Sequence, residues 1–316
     1  MQDGFGRSIE YLRLSVTERC TLRCAYCRAD EGCCPKVAEL TAAEFTRIVK
    51  VMAGLGIKKV RLTGGEPLLR KDILQIVRDI AAIEGITDVS MTTNAQQLDG
   101  RALLLKQAGL TRVNISMDSL QPARFKEMCG GDLGLVLRGI EECLAAGLTP
   151  LKINVVLVKG KNVDEVDDFI EMTRLQPVDV RFIELMPIGD LGQDRSLRVN
   201  NAELIQVRPY LQPLPPRYRG QPSQDFKVEG YLGRVGFISP HSRKFCDMCN
   251  RIRLMSDGML RMCLGHNSEI SLLEDLKSGS DQSLVSTISS AIYHKPECHE
   301  FEHEFIPIKS MNRIGG

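Results

Sequence analysis

The sequence predicts an α/β fold of repeated parallel β/α units, followed by a smaller C-terminal part. Two observations predict it. From Tyr11 to about Leu185, six short runs rich in Val, Ile and Leu alternate with longer stretches of helical period, the pattern of successive β/α units. Six units are too few to close an eight-stranded barrel, so the sheet is either a partial barrel or open. After Met186, prolines gather at Pro209, Pro213, Pro215, Pro216 and Pro222 and break regular structure. The expected organisation is residues 1–190 as the β/α part, 191–235 as a connecting region and 236–316 as a C-terminal appendage.

Strands are expected at 11–16, 59–62, 88–92, 112–117, 152–157 and 179–184. Helices are expected at 41–55, 71–83, 100–108, 133–146 and 163–174. Thr41 followed by Glu44 is a capping-box pattern. Asn162 is placed as an N-cap, and Gly56, Gly109 and Gly147 as helix ends. In parallel β/α arrangements the chemistry lies at the C-terminal ends of the strands.

The chain has 316 residues, is 43% hydrophobic and carries a formal charge of +1. That balance gives no electrostatic case for nucleic acid or an anionic membrane as the main partner. No run of about 18 apolar residues is present, and the N-terminus lacks a signal-peptide core. A cytoplasmic protein is the expectation. Eleven cysteines are many for such a compartment, where disulfides are rare. Cys129 and Cys143 read as small buried apolar residues, and Cys33 and Cys34 as loop residues.

Six cysteines form two groups. Cys20, Cys24 and Cys27 follow the first strand with spacing Cys-x3-Cys-x2-Cys. A [4Fe–4S] cluster has four irons to ligate, so three thiolates leave one iron open to a small molecule. The second group is Cys246-x2-Cys249 with Cys263 beyond. Its donor set allows a second cluster or a zinc ion completed by His266 or His241. Arg251 and Arg253 follow at i and i+2, so on a strand they share a face and suit a polyanion such as triphosphate. Arg13, Lys59, Arg61 and Lys152 add cations at strand mouths; a charge pointing inward needs a partner. Gly64-Gly65-Glu66-Pro67, Thr92-Thr93-Asn94, Asn114 to Asp118, and Glu184 to Pro187 supply polar groups at later strand ends. The terminal Gly315-Gly316 lacks side chains and suits a narrow pocket.

The Cys-x3-Cys-x2-Cys run with Tyr26 before the last cysteine is similar to that of the radical S-adenosylmethionine (SAM) enzymes. With Leu62 to Pro67, Arg181 to Met186, the second cysteine group, Arg251-x-Arg253 and the terminal Ile-Gly-Gly, the chain resembles the GTP 3′,8-cyclase family of molybdenum cofactor biosynthesis. The likeness runs from about Arg13 to Gly316 and is weakest across 190–235. Cys27-Arg-Ala-Asp departs from the family's commoner Cys-Met-Pro.

The resemblance implies a partial (β/α)6 barrel with a C-terminal iron–sulfur appendage. It implies that Cys20, Cys24 and Cys27 ligate a SAM-binding [4Fe–4S] cluster, with Tyr26, Gly65, Ser116 and Met186 against SAM. Cys246, Cys249 and Cys263 would hold a second [4Fe–4S] cluster whose open iron takes the guanine of GTP. Arg13, Arg61, Thr92, Lys152, Arg251, Ile252 and Arg253 would contact GTP, and the Gly315-Gly316 tail would reach into the active site. The implied reaction begins with reductive cleavage of SAM to methionine and a 5′-deoxyadenosyl radical. That radical takes the 3′ hydrogen of GTP, and the carbon radical closes onto guanine C8. The implied partners are GTP, an electron donor, the next enzyme of the pathway and, as is common in the family, a second copy of the chain. Two other readings compete: a radical SAM peptide-modifying enzyme with an auxiliary cluster, and a non-enzymatic zinc scaffold.

Overall fold

The computed structural model describes residues 1–27, 38–301 and 305–315. Cys33, Cys34 and Gly316 lie outside the described residues.

The chain runs β1 (Tyr11–Ser15), α1 (Ala42–Gly54), β2 (Lys59–Thr63), α2 (Ile73–Ala81), β3 (Asp88–Thr93), α3 (Ala102–Gln107), β4 (Arg112–Ser116), α4 (Pro122–Cys129) and α5 (Leu133–Ala145). It continues through β5 (Leu151–Leu157), α6 (Val166–Leu175), β6 (Val178–Glu184), α7 (Gly189–Gln193) and α8 (Asn201–Gln206). The last elements are β7 (Gln212–Pro213), β8 (Ser223–Lys227), β9 (Arg234–Ile238), β10 (Arg251–Leu254), β11 (Met259–Arg261), β12 (Ile270–Ser271), α9 (Leu273–Ser278) and α10 (Asp281–Tyr293).

Strand alternation explains both faces of the sheet. Leu12 and Leu14 are fully buried under the helices, and so are Val60, Leu62, Val113, Ile115, Ile153 and Val155. Residues between them, such as Arg13, Arg61, Asn114 and Asn154, point the other way and line a common cavity or bond its walls. The covering helices are amphipathic: Phe45, Ile48, Val49 and Met52 of α1 and Ile73, Ile76, Val77 and Ile80 of α2 are buried at helical spacing. Truncating Phe45 to Ala at such a site costs about 3–5 kcal/mol. Thr41 and Glu44 form the expected capping box.

The sheet has twelve strands in the order β12-β11-β10-β1-β2-β3-β4-β5-β6-β9-β8-β7. The run from β10 to β9 is parallel throughout. The order has two free ends, so the barrel is incomplete. β10 pairs with β1, Tyr11 opposite Arg251 and Arg13 opposite Arg253. β9 pairs with β6, and β8 with β9 antiparallel. Strands from beyond residue 220 thus extend both edges of the N-terminal sheet. Their alternation is short and interrupted by Pro and Gly, which is why the sequence pattern did not single them out.

Asn162 differs from its expected role. It makes no side-chain cap. Its Oδ1 accepts from the Val158 amide at 2.9 Å and its Nδ2 donates to the Asp118 and Val156 carbonyls at 2.7 and 2.9 Å. It braces the ends of β4 and β5 instead, and the helix begins with a 3-10 turn over Val163–Glu165.

Candidate active site

All six cysteines of the two trios line one cavity of about 330 Å³ inside the barrel. The trios sit at its two ends. Cys20, Cys24 and Cys27 follow the C-terminal end of β1, whereas Cys249 stands two residues before the start of β10, the strand parallel to β1. Cys263 joins it because β11 runs antiparallel to β10 and ends at that same level.

Backbone pairing holds the first trio. The Gly65 and Glu66 amides donate to the Thr17 and Arg19 carbonyls, both at 2.7 Å. A Cβ on Gly65 would lie 2.2 Å from the Arg19 carbonyl oxygen, so only glycine permits this approach. On the other side the Arg23 and Ala25 amides donate to the Cys129 and Met128 carbonyls at 2.9 and 3.1 Å. Asn94 donates to Thr21 Oγ1 at 3.1 Å. Gly65, Tyr26, Ser116 and Met186 all line the cavity here.

Carboxylates stand around this end. The Tyr26 hydroxyl donates to Asp118 Oδ2 at 2.6 Å, and Asp118 also receives the Val156 amide at 2.8 Å. Burial holds the Asp118 carboxyl above its usual range, against those hydrogen bonds. Cys129 is buried as expected, but it abuts the site: its thiol lies 3.4 Å from Asp118 Oδ2 and near Cys24. Glu66 is fully buried and accepts from Thr93 Oγ1, the Asn94 amide and the Leu68 amide at 2.7, 2.7 and 3.0 Å. Burial pushes its carboxyl up to about 7. Its role is to lock the β2 and β3 loops together; the Gly64-Gly65 backbone, not this carboxylate, faces the cavity.

The middle and the far end are cationic. Arg13, Arg61, Arg181, Arg251 and Arg253 line the cavity. Among the described residues none of them has an ion-pair partner. Arg61 donates to Ser90 Oγ at 3.3 Å and Arg181 Nε to Asn154 Oδ1 at 3.0 Å. Asn114, with its amide oriented to receive them, accepts from both arginines. Burial, with Arg61 and Arg251 nearby, pushes Arg13 down to about 10; burial and Arg61 do the same to Arg181. Thr92 Oγ1 and Arg251 Nη2 are buried without a hydrogen-bond partner. Cations without a counter-charge and orphaned polar atoms are costly to hold in such a wall, and a polyanionic ligand would offset that cost.

One expected contact, Ile252, needs correction, and so do the expected positions of Lys59 and Lys152. Ile252 is fully buried in the apolar core between the two arginines of β10 and faces away from the cavity. Lys59 and Lys152 belong to strand starts rather than strand mouths. Lys59 stacks on the Tyr218 ring at 4.6 Å. Lys152 lines a small side pocket with Asp179 that shares Arg181 and Tyr218 with the main cavity. Burial, then the charge of Arg181, pushes its ammonium down to about 7.

The tail enters the cavity wall. Met311 donates its amide to the Cys27 carbonyl at 3.1 Å, and Arg313 pairs with Glu18 at 3.2 Å. Arg253 Nη1 then donates to the Ile314 and Gly315 carbonyls at 3.1 and 3.0 Å. Gly315 has φ +77°, and a Cβ there would lie 2.8 Å from Thr63 Oγ1.

At the second trio, Arg251 lies over the Phe245 ring at 5.0 Å. Burial raises the Cys249 thiol, but Arg251 and Lys295 outweigh it and bring it down to about 7. One zinc ion with Zn–S of about 2.3 Å would set its sulfurs about 3.8 Å apart. Among the described residues neither trio brings three sulfurs within 4.8 Å of one another. His241 and His266 are turned to the Leu185 and Cys298 carbonyls at 3.1 and 2.7 Å and do not line the cavity.

Asp118, part of the expected Asn114 to Asp118 strand end, lines the cavity; Arg181, Asn154, Lys295 and His299 also line it and were not singled out as ligand contacts. The period-2 alternation of Arg112-Asn114-Ser116, Lys152-Asn154 and Asp179-Arg181 was the signal that marks Arg181 and Asn154 as inward. Nothing local marks Lys295.

Comparison with known proteins agrees with this geometry. Residues 14–173 match the Radical SAM superfamily and residues 178–301 match Molybdenum Cofactor Synthesis C. The GTP 3′,8-cyclase of Alkaliphilus oremlandii is 46% identical, with 100% of each chain covered. That of Moorella thermoacetica is 43% identical over 100% of both, and that of Listeria monocytogenes 44% over 95% of this chain and 92% of the relative. The chain belongs to the GTP 3′,8-cyclase family. As a radical SAM enzyme it uses SAM and iron–sulfur chemistry. The crystal structure of Streptococcus suis SuiB bound to S-adenosylmethionine shares the fold of this cyclase-family chain, with a TM-score of 0.58 at 15% identity. That match covers 92% of the chain and 64% of SuiB.

Proposed function

We propose that the enzyme converts GTP to (8S)-3′,8-cyclo-7,8-dihydroguanosine 5′-triphosphate, an early step of molybdenum cofactor biosynthesis. The observation that carries this reading is the pair of thiol trios at the two ends of one cation-lined cavity. Cys20, Cys24 and Cys27 would hold a SAM-binding [4Fe–4S] cluster, and Cys246, Cys249 and Cys263 a second one at the nucleotide end. When bound, the first cluster supplies the electron that turns SAM into a hydrogen-abstracting radical.

The remaining work belongs to the protein. Gly65, Ser116 and Met186 shape the SAM side, and Asp118 holds Tyr26 against it. Arg13, Arg61, Arg251 and Arg253, joined by Arg181, neutralise and orient the triphosphate, with Thr92 and Lys152 as further donors. Gly315-Gly316 is assigned to substrate positioning. Ile188, Met255, Phe301, Phe305, Met311 and Ile314 pack as one buried apolar group against Cys27 and Met186, which keeps water and stray hydrogen donors from the radical.

The electron comes from a separate donor protein or small reductant, and the cyclic triphosphate passes to the next enzyme of the pathway. A homodimer and a cytoplasmic setting belong to the same proposal, the latter because both trios must stay reduced. Among the described residues no helix is long and apolar enough to cross a membrane. The test is anaerobic reconstitution followed by iron counting and product analysis with SAM and GTP. About eight irons per chain and a cyclised triphosphate are expected. A colourless protein that leaves SAM intact would refute the reading.

A further inference from the structure

Lys295 follows α10 and is 2% exposed. It is pinned to the second trio from two sides. Its Nζ donates to the carbonyl of Met262, the residue before Cys263. The chain at and after it is held by Arg7, whose guanidinium donates to the carbonyls of Cys246 at 2.9 Å, of Pro296 and Glu297, both at 2.6 Å, and of Lys295 itself at 3.5 Å. Arg7 is itself fixed by Asp3 at 2.6 Å. Lys295 therefore stands in the same cavity wall as Cys246, Cys249 and Cys263.

An ammonium has three donors, and Met262 takes one. Among the described residues no carboxylate pairs with Lys295. A buried cation with no counter-charge is strongly destabilising. Neutral thiols cannot supply that charge, but three thiolates and the cluster they hold can. The arrangement is that of a cation waiting for an anionic group on its open side.

We propose that Lys295 is the fixed counter-charge of the second cluster, a positioning residue that stabilises its thiolate ligation and favours its reduced state. This rests on the two-cluster reading above. A cluster gains a negative charge on one-electron reduction, so a nearby fixed cation raises the reduction potential, since net charge and surroundings set that potential. Arg7 contributes by holding the lysine and the Cys246 loop in one geometry.

The test uses the full chain with Cys20, Cys24 and Cys27 replaced by Ala, so that only the second trio carries iron. Lys295→Met and Lys295→Arg are added separately. Iron content is measured, and the midpoint potential is read by paramagnetic resonance during titration with dithionite. Lys295→Met is expected to weaken the preference for the reduced state at least tenfold, a shift of about 59 mV to more negative potential for a one-electron couple. Lys295→Arg is expected to stay near the parent. If Met loses the iron while Arg keeps it, the counter-charge role stands through ligation. Loss of iron in both variants would make the lysine a packing residue and overturn the proposal. An unchanged midpoint at full iron content in Lys295→Met would also overturn it. A parent without iron would sink the two-cluster reading itself, and this inference with it.

Discussion

The two ends of the barrel use the same number of thiols in opposite electrostatic settings. Around Cys20, Cys24 and Cys27 stand Asp118 and the buried Glu66, and the loop is held by backbone pairing with Gly65 and with the end of α4. Around Cys246, Cys249 and Cys263 stand Arg251, Lys295 and, further in, Arg13 and Arg253. Ligand count alone therefore does not distinguish the sites; the surrounding charge does. Of these two carboxyls only Asp118 lines the cavity, and an acidic group there suits a cationic sulfonium and ammonium ligand. Unpaired guanidinium groups suit a polyphosphate.

The largest test of this division removes the two trios one at a time. Replacing Cys20, Cys24 and Cys27 by Ala is expected to abolish 5′-deoxyadenosine formation while leaving about four irons. Replacing Cys246, Cys249 and Cys263 should leave SAM cleavage measurable and remove the cyclised product. Chromatography of both products side by side checks this; SAM cleavage surviving the first replacement would break the comparison.

The next effect concerns the cations. Arg181→Ala and Arg61→Ala each remove charge-assisted hydrogen bonds worth about 1.5–3 kcal/mol. GTP should bind about 10- to 150-fold more weakly by calorimetry, with SAM affinity and iron content unchanged. Equal losses for GTP and SAM would mean that the two ends are not electrostatically separate.

Gly315→Ala comes next. Left-handed backbone costs a residue with a Cβ about 1–2 kcal/mol, and that Cβ would meet Thr63 Oγ1 at 2.8 Å. The ratio of cyclised product to 5′-deoxyadenosine should fall several-fold. An unchanged ratio would remove the tail from the substrate's surroundings.

The last effect is a pH slope, negligible below about pH 7. Lys152 is held at about 7 in the free enzyme, and a bound triphosphate favours its charged form. Above that pH, binding takes up a proton, so affinity falls by up to tenfold per unit as pH rises. The free enzyme changes the other way. Its unfolded chain binds a proton that the native lysine has lost, so stability rises from about pH 7 toward the ordinary lysine range. Lys152→Met should flatten both trends, as read by calorimetry and by denaturant unfolding; a slope that persists assigns the proton elsewhere.

The β/α units, the first trio and the family were legible in the sequence because their signals are local. Val, Ile and Leu runs alternate with capped amphipathic stretches, and Cys20, Cys24 and Cys27 fall within eight residues of one another. The shared inward face of Arg251 and Arg253 was legible for the same reason, since two residues along a strand return to one face. Only the tertiary structure decided which end of the barrel each group occupies. β10 is parallel to β1, so residues preceding it lie opposite the loop that follows β1, and no local pattern states a strand's partner or direction. The same holds for Glu66, whose acceptors are filled by Thr93 and Asn94 rather than by a ligand. It holds too for Lys295, brought to Met262 across 33 positions of sequence. Local sequence sets what a side chain can donate or accept; long-range pairing of the sheet sets what stands in front of it.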